Sequence, residues 1–171
     1  MHPLRGVFAW ASLMCFLILA TVAAFGLPLS HPGPQDAKQI ERGRYLVRIA
    51  GCNDCHTGGY RENAGHMPEK EWLTGGNHLG FRGPWGTTYA PNLRVYMNAV
   101  TEDQWVVIAH TAEFRPPMPW FALHAMKEED LRAIHRFVKH LGPAGGPVPT
   151  YVPPGQEPAG PYVLFPEAPT R

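Results

Sequence analysis

Arg42–Gly59 reads RGRYLVRIAGCNDCHTGG, and within it Cys52-Asn53-Asp54-Cys55-His56 decides how the rest of the chain is understood. The approach to it is helical: Ile40, Val47 and Ala50 fall near one face, and Gly51 ends the run. Two thiols then follow, three residues apart, with a histidine directly after the second. Two cysteines at that spacing make a poor disulfide framework, so their use is chemical. With three cysteines and nine histidines in 171 residues, the chance expectation of the pentapeptide is on the order of 0.003.

Cys-x-x-Cys-His is the pattern of covalent haem attachment. Each thiol can add to one vinyl group of the same porphyrin, and the adjacent histidine is then held beneath the iron. The expected cofactor is one haem c per chain, bound through Cys52 and Cys55 with His56 as an axial metal ligand. Three other readings compete. A zinc site needs a second Cys or His pair at finger-like spacing, and the chain has no second Cys pair. A thioredoxin-like redox pair sits after a strand at the start of a helix, whereas these cysteines follow the end of one. A purely structural pair is the third. Cys15 lies in an apolar run, where it reads as a small hydrophobe.

The other axial ligand must come from far along the chain. Met118, in Arg115-Pro-Pro-Met-Pro-Trp120, is the leading candidate, because prolines on both sides confine the backbone to an extended path that can present a thioether. His110, His124, another methionine or an open position are the alternatives, and Met97 and Met126 read as core filler. A His/Met pair closes the iron to substrate and raises its potential, which suits electron transfer rather than catalysis.

Outward from these residues, three helices are expected. One is capped by Asp36 and runs through AKQIERGRYLVRIA, with Gly43 inside it at a cost of about 1 kcal/mol, which implies close approach of another backbone or ring. A second, TEDQWVVIAHTAEF, opens on a Thr101/Gln104 capping box and points Trp105 inward. The third, EEDLRAIHRFVKHL, buries Leu131, Ile134, Val138 and Leu141 and stops at Gly142-Pro143. Thr57–Tyr89 and the proline-rich stretch after Gly142 are expected to be largely irregular, with Tyr162–Phe165 packing back on the domain. The fold class is therefore mostly α, wrapped around something that fills a core three helices cannot close alone.

The ends and the charge bound the rest. Val7–Leu29 is almost continuously apolar, so residues 1–26 are expected to be a cleaved export signal or an uncleaved membrane anchor. Residues 27–35 then read as a linker, 36–142 as the domain and 143–171 as a tail. Without the first 26 residues, whose only charge is Arg5, the 15 basic residues become 14 against 14 acidic ones; a neutral chain has no nucleic-acid character.

The segments RGRYLVRIAGCNDCHTGG, GPWGTTYAPNL and PPMPW, followed by the EEDLRAIHRFVKHLG helix, resemble class I cytochromes c, and more narrowly the cytochrome c domains of membrane-bound alcohol, aldehyde and sugar dehydrogenases. The resemblance spans about Ile40 to Gly142. It implies a class I cytochrome c-like fold, thioether roles for Cys52 and Cys55, a proximal role for His56 and a distal one for Met118. It also implies that the first and last helices cross at Gly43 and Tyr45 against Phe137. Trp85, Tyr89 and Asn92 are then expected to contact the haem or its propionates, with Arg82 as a charged partner; turn and packing roles are the alternative. The match departs at Arg94-Val-Tyr-Met-Asn98, and the dehydrogenase subunits commonly carry three haem motifs against one here. The expectation is an exported, periplasmic or membrane-tethered electron carrier between a dehydrogenase donor and an oxidase or other cytochrome acceptor. A haem enzyme or gas sensor with an open iron position, and a subunit docked on a larger complex by its tail, are the alternatives.

Overall fold

Two helices that cross at a glycine organise the chain. In the computed structural model, which describes residues 33–166, α1 (Pro34–Ile49) lies against α6 (Glu128–Leu141). A Cβ at Gly43 would stand 2.0 Å from the Ala133 carbonyl oxygen and 2.7 Å from the Phe137 Cβ. Only glycine lets the two backbones come this close, which explains its place in a helix interior. The signal or anchor expected over residues 1–26, Cys15 and most of the linker lie outside the described residues.

Several expectations for α1 are corrected. It begins at Pro34, with Gly33 as N-cap, so the linker ends earlier than expected and Asp36 sits in the first turn instead of capping. Proline suits that first position, where no N–H is needed. Tyr45 is not at the crossing: it is 52% exposed, because a residue two positions beyond Gly43 points away from the face that meets α6. Trp72 and Arg44 meet Phe137 instead, the indole edge-on with centroids 6.3 Å apart and the guanidinium 5.3 Å from the ring centroid. Ala50 is the C-cap and faces solvent.

α6 buries Leu131, Ile134, Phe137 and Val138 along one stripe. α4 (Glu102–Thr111) packs on it and ends before Phe114. Its capping box forms: Gln104 N–H donates to Thr101 Oγ1 and Thr101 N–H to Gln104 Oε1. Trp105 is buried, and its indole N–H donates to the Leu131 carbonyl at 2.9 Å. Two further short helices, α3 (Leu93–Ala99) and α5 (Trp120–Ala125), join α4 and α6, and a one-turn α2 (Cys52–His56) follows α1.

Helices predominate, as expected, but the loops hold a small sheet. β1 (Gly80–Gly83) and β2 (Gly86–Tyr89) form an antiparallel hairpin closed by Pro84 and Trp85. β3 (Tyr162–Leu164), from the tail, lies parallel to β1, with Gly80 opposite Tyr162 and Arg82 opposite Leu164. The tail is thus built into the molecule. Thr87 and Val152 exchange two backbone hydrogen bonds, and the Phe165 ring packs on Phe81 and Trp85. Among the described residues no helix is long and apolar enough to cross a membrane.

Candidate functional site

Gly51 starts the site. At φ +70° it takes the left-handed conformation that ends α1 and turns the chain into α2, a step that glycine makes at no steric cost. On that single turn Cys52, Cys55 and His56 occupy positions three and four apart, so they share one face. Neither thiol is in a disulfide.

Hydrogen bonds pin the turn from three sides. Thr57 Oγ1 donates to the buried Asn53 Oδ1 at 2.7 Å and accepts from Leu73 N–H at 2.8 Å. The His56 carbonyl accepts from Gly75 N–H at 2.8 Å, and Gly58 N–H donates to the Gly75 carbonyl at 3.0 Å. His56 itself is buried, and its Nδ1 lies 2.8 Å from the Pro91 carbonyl oxygen. A carbonyl only accepts, so Nδ1 carries the proton and Nε2 is left with its lone pair. Burial pushes the imidazole pKa down, against a smaller upward pull from that hydrogen bond. A neutral imidazole with a tied Nδ1–H and a bare Nε2 is what a metal ligand requires.

The thiols are protonated at neutral pH. Burial pushes Cys52 up to about 11, and it raises Cys55 as well, with nearby Arg61 pulling the other way. A reactive dithiol has its thiolate stabilised, which is the opposite shift. Among the described residues no three His, Cys, Asp or Glu side chains converge into a metal-binding group.

Met118 follows a turn in which its N–H donates to the Arg115 carbonyl at 3.2 Å, and its own carbonyl accepts from Trp120 N–H at 2.9 Å as α5 begins. It is half-buried and borders the same apolar core as Cys52. Leu93, Tyr96, Phe114 and Met126 border that core too, each only partly covered. Met97 is fully buried, as filler would be. The alternative histidines each have one ring nitrogen engaged: His110 Nε2 with the Met126 carbonyl at 3.0 Å, His124 Nε2 with the Ala112 carbonyl at 3.1 Å.

The loop residues expected near propionates make contacts of their own within the protein. Arg82 is held by Glu157 of the tail through two hydrogen bonds of 2.6 and 2.7 Å. Asn92 caps α3, accepting from Val95 N–H at 3.1 Å, and its amide donates to the Ala144 and Gly146 carbonyls at 2.8 and 3.2 Å. Both side chains are engaged with protein partners, Arg82 with the tail's Glu157 and Asn92 with Val95, Ala144 and Gly146. Trp85 packs on Phe165, with centroids 5.6 Å apart, while its buried indole N–H has no partner among the described residues. Tyr89 is half-buried at the end of β2. Two contributors carry no sequence signal: the Pro91 carbonyl, which no side-chain motif announces, and Asn53, which stands at an unspecified position of the Cys-x-x-Cys-His pattern.

Comparison of the chain with family models, curated proteins and solved structures finds no match to any of them.

Proposed function

We propose that this chain is a single-haem c-type cytochrome with a class I fold, exported and either periplasmic or membrane-tethered, that carries electrons between redox proteins. The observation that carries the proposal is the His56–Pro91 contact beside the unpaired thiols of Cys52 and Cys55 on one helical turn; burial raises both thiol pKa values, which favours the neutral form. A thiol adds across a vinyl group by forming a carbon–sulfur bond while its proton goes to the neighbouring carbon, so a neutral thiol pair suits that chemistry. Cys52, Leu93, Tyr96, Phe114, Met118 and Met126 border the core only partly covered, and an apolar group bound against them would gain by burying them further. Trp85, whose indole N–H has no partner among the described residues, and the half-buried Tyr89 are the loop residues left to meet a propionate.

A bound haem supplies a one-electron iron couple, with a potential that a methionine ligand raises. The chain's own residues do the rest. His56 offers Nε2 with its orientation fixed by Pro91, and Met118 offers a thioether from a proline-bounded turn. Electron donors and acceptors, a dehydrogenase on one side and an oxidase or second cytochrome on the other, would dock transiently. The tail's bonds to Arg82, Trp85 and Asn92 weigh against its serving as a free docking arm.

The test is a reduced-minus-oxidised visible spectrum of the chain expressed with haem-maturation machinery, beside Cys52→Ala/Cys55→Ala and Met118→Ala variants. A c-type spectrum that resists acid-acetone extraction, lost in the double cysteine variant, supports the proposal. Absence of covalent haem in the wild type sinks it. Covalent haem with ready carbon monoxide binding and no response to Met118→Ala would favour an open, reactive iron.

A further inference from the structure

The tail lies outside the stretch that carries the cytochrome resemblance, yet it reaches both sides of the candidate site. At one end, Ala144 and Gly146 are held by Asn92, the residue after the Pro91 carbonyl that receives His56. Further on, Tyr151 donates its hydroxyl to the Trp85 carbonyl at 2.8 Å, and the next residue, Val152, pairs with Thr87 through backbone bonds of 2.8 and 3.0 Å. Glu157 and β3 then fix the chain to Arg82 and β1. Tyr151 is therefore anchored on both sides.

Its ring carries one more contact. The Arg115 guanidinium lies 4.2 Å from the Tyr151 ring centroid, well inside the range of a cation–π attraction. Arg115 opens the turn that presents Met118, and the Arg115 carbonyl accepts the Met118 N–H. Only two prolines stand between the two residues. The Arg115 side chain makes no salt bridge among the described residues, so the tyrosine face is what holds it.

We propose that Tyr151 is a positioning residue for Met118: by stacking under Arg115 it holds the Arg115–Met118 turn where the thioether can reach the iron. The role rests on Met118 being the iron's second axial ligand, and it deepens that reading by giving the tail a function. Its action on Met118 runs through Arg115.

The experiment uses the full-length holoprotein with Tyr151→Leu, Tyr151→Phe and Arg115→Gln. Two properties are read in the oxidised state: the methionine-to-iron charge-transfer band, and the affinity for imidazole, which competes with Met118 for the iron. Tyr151→Leu and Arg115→Gln should each weaken the band and bind imidazole about fivefold more tightly, the factor that about 1 kcal/mol gives. Tyr151→Phe keeps the stacked ring and should stay close to wild type. The double variant should add nothing to either single one, because both remove the same contact. Arg115 is exposed, so its variant carries the test even if Tyr151→Leu fails to fold. A wild-type band unmoved by Arg115→Gln overturns the positioning role and leaves Met118 as ligand intact. A wild type with covalent haem but no band overturns both.

Discussion

His56 Nδ1 lies 2.8 Å from the carbonyl oxygen of Pro91, 35 residues further along the chain. That bond selects one tautomer and one ring orientation, and the proline ring restricts the backbone that carries the acceptor. Nitrogen NMR of the labelled, reduced holoprotein should show a proton on Nδ1 that exchanges slowly and none on Nε2. Pro91→Ala keeps the carbonyl, so it should leave the visible spectrum in place and lower stability by about 0.4–1 kcal/mol through greater freedom of the unfolded chain. A proton on Nε2 would remove His56 as a ligand.

At the α1–α6 crossing, Gly43→Ala sets two effects against each other. Alanine is the better helix former by about 1 kcal/mol. Its Cβ, however, would sit 2.0 Å from the Ala133 carbonyl oxygen, a backbone atom that cannot swing aside. Separating two packed helices costs roughly 1–3 kcal/mol or more, so the clash wins. Urea unfolding should show a lower midpoint with an unchanged slope; a raised midpoint would mean that the helices do not meet at Gly43.

What could be seen from sequence followed how local each signal was. α6 shows because four core positions repeat at helical spacing, and α4 because its Thr101/Gln104 cap lies within four residues. Gly43 is legible as a close approach because a helix interior otherwise disfavours glycine, whereas the aromatic that meets Phe137 is Trp72, 29 residues further on and invisible to local spacing, and not Tyr45. α3 and α5, at 7 and 6 residues, are too short to show a period. The sheet was missed because β1, Gly-Phe-Arg-Gly, has little alternation and β3 reaches it only from the tail: the Arg82–Glu157 pair spans 75 residues. Asn92 illustrates the same limit. An amide after a proline looks alike whether it meets a cofactor or clips a distant segment.

Glu102 ties α4 to α6 through hydrogen bonds from Arg136 and Arg132. Those bonds, Arg136's first, hold its carboxyl below the ordinary value of 4.5, with burial opposing. A depressed folded pKa means that the pair's stabilisation is complete above the unfolded pKa and is lost as pH falls through the folded one. Glu102→Gln should therefore lower stability at neutral pH by about 0.5–1 kcal/mol, discounted for the pair's partial exposure. Below the carboxylate range the two proteins should converge. Melting curves across pH check this, and a gap that persists in acid would assign the effect to packing instead of charge.

Arg94 is buried without an acidic partner among the described residues. Its donors go to four backbone carbonyls: Leu141 and Gly142 at the end of α6, and Lys70 and Trp72 at 3.1 and 3.4 Å in the turn beneath it. Burial pushes its pKa down, yet a guanidinium stays charged. A positive charge at a helix C-terminus is favourable, and its planar fork serves several acceptors at once. Arg94→Met recovers the desolvation cost but leaves those carbonyls unpaired, at about 1–3 kcal/mol for each one that stays buried. The loss of acceptor pairing outweighs the relief, so Arg94→Met should destabilise the holoprotein by about 2 kcal/mol. Arg94→Lys keeps the charge and should recover only part of that, because an ammonium cannot span both α6 and the 70–72 turn. Urea midpoints of the two variants check the order; equal stability of wild type and Arg94→Met would show that desolvation relief matches the lost carbonyl bonds.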